Sequence, residues 1–454
     1  SNSFGWGDTG KIAIDTQGKL FLVDGGLIFS ALATSAVGNS QGIKINAREL
    51  ELVNGGLIAT TTLQNTQVAG KGNAGDIEVK TTGDIRIVGL DPLLNNSTKS
   101  IRSSFNSGTI GQGDAGKITI DTQGKLSLSN QSAILSSVGK QANGNGRDIS
   151  IAARDIELNN SFIISGTDQI AQINGNGKSG DINLKVKNAI DLKNISAISS
   201  TSTGVGQTGN VSIISSQLFL NSSVFLSDAK SVSGGNITIA ISDKLLLQNS
   251  SFITTSSGSV AQNGNGGNIT ISSPLLIALP GNNDITADAN GGNGGNVNIN
   301  SQGLFGIKYR PIGSDFTSDI TASSTFGQSG IVNITTPGTD PGKDSTELPN
   351  TTTDASSQIS QACNTNNRQN KLTVTGRGGL PPNANDPLTS DVVWQDARAV
   401  SSPPAVNSTT TNPTKFAPPA VGWVFDGKGK VMLVAAGTQG QPTGTSVVCP
   451  NVVK

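Results

Sequence analysis

The sequence contains no histidine. That absence removes Ser-His-Asp and Cys-His catalysis, histidine-ligated zinc and histidine-based pH switches. Only two cysteines are present, Cys363 and Cys449, both in the C-terminal part. In a secreted chain such a pair reads as one disulfide; two free buried thiols are the other reading. Aromatic residues make up 4% and charged residues 14%. Basic and acidic side chains balance at 31 each, and no Lys/Arg cluster stands out. Nucleic acid is therefore not expected as a partner, since phosphate binding needs a concentrated basic patch. No apolar run reaches the roughly 18 residues that a membrane helix needs. There is no starting Met and no visible signal peptide, and the first residues already belong to a repeat. The sequence thus reads as a piece of a longer protein.

What the chain does have is glycine, 57 residues of it, ahead of short alternating apolar runs. The phrase GDAGKITI (Gly113–Ile120) states the theme. It returns as GDTGKIAI (Gly7–Ile14), GKSGDINL (Gly177–Leu184), GQTGNVSI (Gly206–Ile213), GNGGNITI (Gly264–Ile271) and GQSGIVNI (Gly327–Ile334), with looser copies between. The first apolar residue falls at Ile12, Ile43, Ile77, Ile118, Ile149, Ile182, Val211, Ile237, Ile269, Val297 and Val332. The mean step is about 32 residues, a solenoid period.

Within a repeat the order is fixed. A second apolar alternation follows, such as KLSL (Lys125–Leu128) or DIEL (Asp155–Leu158). A third opens with Asn or Ser, such as NQSAILSS (Asn130–Ser137) or NSSVFLSD (Asn221–Asp228). Three short strands with polar turns describe one coil of a parallel β-helix. Alternation sends Ile118 and Ile120 inward and Thr119 outward. Eleven such coils, one strand spacing apart, would make a rod of about 50 Å. Asn130, Asn160, Asn221 and Asn249 sit where a tight corner is needed, which predicts left-handed residues and an Asn ladder.

The expected layout is coils over 1–336, a linker over 337–362 and a C-terminal region over 363–454. That region holds a hairpin near 422–434, around Asp426–Gly427. A Cys363–Cys449 bond would tie it into one unit, and such a unit would cover the exposed edge of the last coil.

Several motifs invite chemical readings. GxGxxG occurs five times, but a strand follows each copy where a nucleotide site needs a helix, so it reads as turn chemistry. NGNGGN (Asn263–Asn268) and NGGNGGNVNIN (Asn290–Asn300) lack the Asp ligands and nine-residue period of calcium-binding repeats. Glycosidase-like chemistry needs converging acids. The pairs Asp284/Asp288 and Asp315/Asp319 lie along a strand edge or loop, while Asp76, Asp114, Asp148 and Asp181 recur beside glycine turns, where Asp caps. No catalytic residue, metal ligand or cofactor is expected. The longer coils, with excursions at Val88–Ser100 and Phe305–Asp319, are where a binding function would sit.

Residues 303–400 carry a more specific signal. GLFGIKYRP, SDITASSTFGQSGIVNITTPGTDP, ELPNTTTDASSQISQAC and LTVTGRGGLPPN occur there in order. These blocks resemble the C-terminal region of cyanobacterial filamentous-haemagglutinin-like exoproteins. The resemblance is close over 303–400, including Cys363 and Trp394, and loose over the coils. It implies a right-handed parallel β-helix exported by an outer-membrane β-barrel transporter in two-partner secretion. It further implies display or release at the cell surface and a role in adhesion or cell-surface structure. The expected function is a non-catalytic, adhesin-like structural one with surface glycans or neighbouring cells as partners; a carbohydrate-binding or carbohydrate-active β-helix is the alternative. The secretion domain that the transporter recognises is not in this sequence.

Overall fold

A computed structural model describes residues 1–336, except 64–68, 90–101, 140–141, 167–176, 203–205, 230–232 and 259–262, together with the strands Ala420–Phe425 and Val431–Ala435. The chain divides into two compact units, Ser1–Thr353 and Asp354–Lys454. All regular structure among the described residues is β.

The first unit is a parallel β-solenoid. Each of the eleven expected positions opens a strand, from Ile12–Asp15 to Val332–Thr335, and each strand pairs in parallel with the next repeat's. Second strands stack likewise from Lys19–Val23 to Gly303–Phe305. Third strands stack from Leu27–Leu32 to Asp319–Thr321, with Asn2–Ser3 on one edge and Lys308–Tyr309 on the other. In Val211–Asn221 and Ile237–Gln248 the first and second strands run on as one, with a register shift between Ser215 and Gln217.

Like sits on like in the interior. Ile118 faces Ile77 and Ile149, Leu128 faces Ile87 and Leu158, and Ile134 faces Phe105 and Ile163. All belong to one continuous buried cluster. Burying each such side chain is worth roughly 1.5–3 kcal/mol. One coil of some thirty residues loses about 1–2 kcal/mol per residue in backbone entropy, so stability belongs to the stack rather than to the coil.

Two glycine columns explain the recurring phrase. A Cβ on Gly235, Gly267, Gly295 or Gly330 would collide with the carbonyl of Gly209, Gly235, Gly267 or Gly295 in the preceding coil. A second column, Gly113, Gly144 and Gly177, meets the carbonyls of Gly72, Gly113 and Gly144 in the same way. The phrase is therefore set by the distance between neighbouring backbones, and turn conformation is a secondary demand.

The corner before the third strand is left-handed as expected at Asn130 (φ 57), Asn160 (φ 50) and Asn249 (φ 55), and also at Asn194 (φ 55); Asn221, against expectation, ends its strand, and the left-handed residue there is Ser222 (φ 50). Asn pairs link Asn194 to Asn159 and Asn249 to Asn221, at 2.7 and 2.8 Å between Nδ2 and Oδ1. The continuous ladder here, however, is built from serine. The N–H groups of Ser161, Ser196 and Ser223 donate to Oγ of Ser196, Ser223 and Ser251, and Ser251 N–H donates to Asn283 Oδ1 at 3.0 Å. The Ser196 and Ser251 hydroxyls donate in turn to the carbonyls of Lys193 and Gln248.

The expected hairpin is present as antiparallel strands Ala420–Phe425 and Val431–Ala435, with Trp423 opposite Leu433. Cys363, Cys449, Trp394 and the linker 337–362 lie outside the described residues.

Candidate functional site

The four flagged carboxylates come together. Asp284 and Asp319 open third strands of neighbouring coils, because the chain between them makes one turn with a long excursion. Asp319 is buried and pairs with the Arg310 guanidinium, while accepting from Ser314 N–H at 2.7 Å and from the Thr317 hydroxyl. Asp284 Oδ1 accepts Asp319 N–H at 2.8 Å, and Asp288 accepts Ser323 N–H at 2.5 Å and the Thr321 hydroxyl at 2.8 Å. Burial pushes the Asp284 carboxyl up to about 6, helped by the negative charges of Asp315 and Asp288 and opposed by Arg310. The cluster thus ties down the Phe305–Asp319 excursion, whose Ile312 and Phe316 project into solvent. Each of these carboxylates except Asp315 caps or clamps backbone of its own surroundings. Among the described residues, no three His, Cys, Asp or Glu side chains are placed to hold a metal ion. The other excursion, Val88–Ser100, lies largely outside the described residues.

The aspartates beside the glycine turns cap as expected, but across coils. Asp76, Asp114, Asp148 and Asp181 accept the N–H of Lys117, Asn145, Asp181 and Asn210 at 2.7–2.9 Å. Two columns are involved: Asp114 stands in one with Asn39, Asn73 and Asn145, while that of Asp148 and Asp181 continues as Asn210, Asn236, Asn268 and Asn296, each Oδ1 accepting from the next coil, and ends where Ile331 N–H meets Asn296.

The outward face of the first strands is where side chains meet solvent in register. It forms a shallow groove. One stretch is lined by Asp15, Asn46, Arg48, Lys80 and Asp121. Another, of about 340 Å³, is lined by Thr119, Ser150, Asn183, Ser212 and Ile214. Lys44 and Lys80 bracket Glu78 here and hold its carboxyl below the usual range, the hydrogen bond from Lys44 being the main cause. Around the corner, on the second strands, burial raises the Glu51 carboxyl but Lys19 and Arg86 outweigh it and hold it low. From Ser212 onward the charges stop. Thr238, Thr270, Asn298 and Asn333 continue one column, and Ala240, Ser272, Asn300 and Thr335 continue the column from Ile214.

Comparisons with known proteins do not assign this chain: no family model, curated protein or solved structure matches it.

The hydroxyls buried inside the third strands escape sequence reading. Thr60, Ser107, Ser136, Ser200, Ser227 and Thr255 point inward, and their hydroxyls bond the carbonyls of Gly75, Gly75, Gly116, Gly180, Gly209 and Gly267. They pin the glycine corner to the opposite wall. The signal is present in the sequence as a Ser or Thr two residues after the inward Ile or Phe of the third strands up to Phe252–Thr254; in the last two Ala287 and Ala322 take that place.

Proposed function

We propose that this chain is the shaft of a surface-displayed, adhesin-like structural exoprotein that works without catalysis. The observation that carries the reading is the uninterrupted stack from Ile12 to Val332, in which glycine, serine and Asp/Asn columns all serve to lock one coil onto the next. Such a body is stiff along its axis and holds whatever it bears at a fixed distance from its anchor. The four blocks between 303 and 400 support secretion through an outer-membrane β-barrel transporter. The candidate acids support a non-catalytic reading, because Asp284, Asp288 and Asp319 are engaged in holding backbone.

Export fits the same physics. A coil emerging outside the membrane pairs with the one before it, so folding can draw the chain outwards. The test is to express the chain, fused to its transporter's recognition domain, with that transporter and to follow surface labelling of intact cells. Labelled, protease-resistant coils are the expected result. Deleting the glycine phrase of a middle coil should stall export. Normal export of that deletion, or a folded rod retained inside, would refute the reading.

A further inference from the structure

We infer that the outer face of the first strands from Ser212 to Thr335 is a binding surface for an uncharged polysaccharide lying along the rod axis; this rests on the adhesive reading above and gives it a ligand class. Three observations lead there.

The first is an imbalance in hydrogen bonding. Many repeated polar side chains of the stack are engaged: serines in the corner ladder, asparagines in the Asn210–Asn296 ladder, hydroxyls on glycine carbonyls. The outward column of the first strands is not from Thr119 onward, and Thr119, Ser150 and Asn183 in the coils before Ser212 share that state. In the column Ser212, Thr238, Thr270, Asn298 and Asn333, no side chain is hydrogen-bonded to another described residue, and all but the half-buried Ser212 are exposed. Their hydroxyls and amides are presented outward at one strand spacing, about 4.8 Å, over a span of about 19 Å.

The second is charge. The same face in earlier coils carries Asp15, Lys44, Glu78, Lys80, Asp121 and Lys185. Over the last five coils both outward columns are uncharged, and the Asn210–Asn296 ladder that borders them is uncharged too. An anionic or cationic polymer gains nothing there; a neutral one loses no charge hydration by docking.

The third is the character of the companion column. Ile214, exposed at 52%, and Ala240 set apolar patches beside the polar column, followed by Ser272, Asn300 and Thr335. A sugar ring has C–H faces and hydroxyl edges, so it can use both columns at once. A peptide strand is a poorer occupant: it would seek a sheet edge, and these strands are paired on both sides up to the last coil.

The test is affinity electrophoresis of the full chain in gels containing dextran, a linear β-glucan or a mannan, with alginate as the charged comparison. Retardation by at least one neutral polymer and none by alginate is expected. The variant carrying Thr238→Lys and Asn298→Glu should bind about tenfold more weakly or not at all. Asp121→Ser, outside the neutral stretch, should bind as the parent does. Unchanged melting of both variants shows that the fold is kept, since the side chains point outward. Failure to bind any neutral polymer, binding to alginate alone, or undiminished binding by the double variant would overturn the inference. Cells that display the chain and adhere, while the chain binds none of the three neutral polymers, would leave the adhesin standing and remove only this surface.

Discussion

At the scale of the residue, this protein is decided by atoms that neighbouring coils force together. Gly267 has no special φ, yet a Cβ there runs into the Gly235 carbonyl. Gly267→Ala should therefore cost about 1–3 kcal/mol, the range for overpacking, read as a lower melting temperature. Ser227 donates to the Gly209 carbonyl at 2.7 Å in the interior. Ser227→Ala leaves that carbonyl unpaired and should cost about 1–3 kcal/mol, while Ser227→Thr should be tolerated, because Thr60 and Thr255 do the same work. One residue runs against its own chemistry: Ile195 is β-branched, left-handed (φ 64) and exposed. Ile195→Gly should raise stability by about 1 kcal/mol in denaturant melts, since its backbone bond to Ser222 is kept. An unchanged or lower midpoint would contradict this.

At the scale of the element, the hold on the third strand Asp319–Thr321 depends on pH. Asp284 in the folded protein titrates near 6, above its ordinary value of 3.8. The folded form thus binds the proton more tightly than the unfolded one. The stabilisation this proton brings is full below about 3.8 and is lost as pH rises through about 6. Amide exchange at Ile320 and Thr321 should accordingly slow, after correction for intrinsic rates, between pH 7 and pH 5. Asp284→Asn should flatten that dependence; an equally steep profile in the variant would exclude Asp284 as its source. Glu157 has the opposite sign. Lys125 above all, with Lys193, holds its carboxyl low against burial, so its contribution is present above 4.5 and fades on acidification. These two elements should respond to acid in opposite directions within one molecule.

At the scale of the whole molecule, the stack behaves as a one-dimensional array in which each coil answers to its neighbours. Removing Asn236–Gly267, one whole repeat, brings Gly235 against Asn268 and restores every column. That deletion should fold, with a cooperative melt and an unchanged far-ultraviolet spectrum. Removing half of it should abolish the cooperative transition, because inward and outward residues lose their alignment. Comparable melts for the two deletions would show that the columns are not what couples the coils.

Much of this was legible in the chain itself. The period, the three strands, their register and the Ile and Leu columns follow from alternation repeated at a steady spacing, and the left-handed Asn130, Asn160 and Asn249 follow from the tight corner. The tertiary structure alone decided the rest. It turned the glycine phrase from turn chemistry into a demand of close approach, and it put serine rather than asparagine on the continuous corner ladder. It buried Ser136 and Ser200, a placement that polarity alone does not indicate. It also made neighbours of Asp284 and Asp319, and an unpartnered neutral column of Thr238, Thr270 and Asn298. The physical reason is that a sequence fixes what repeats, whereas contact between residues some thirty positions apart depends on how far the chain climbs per turn, and only the closed coil sets that distance.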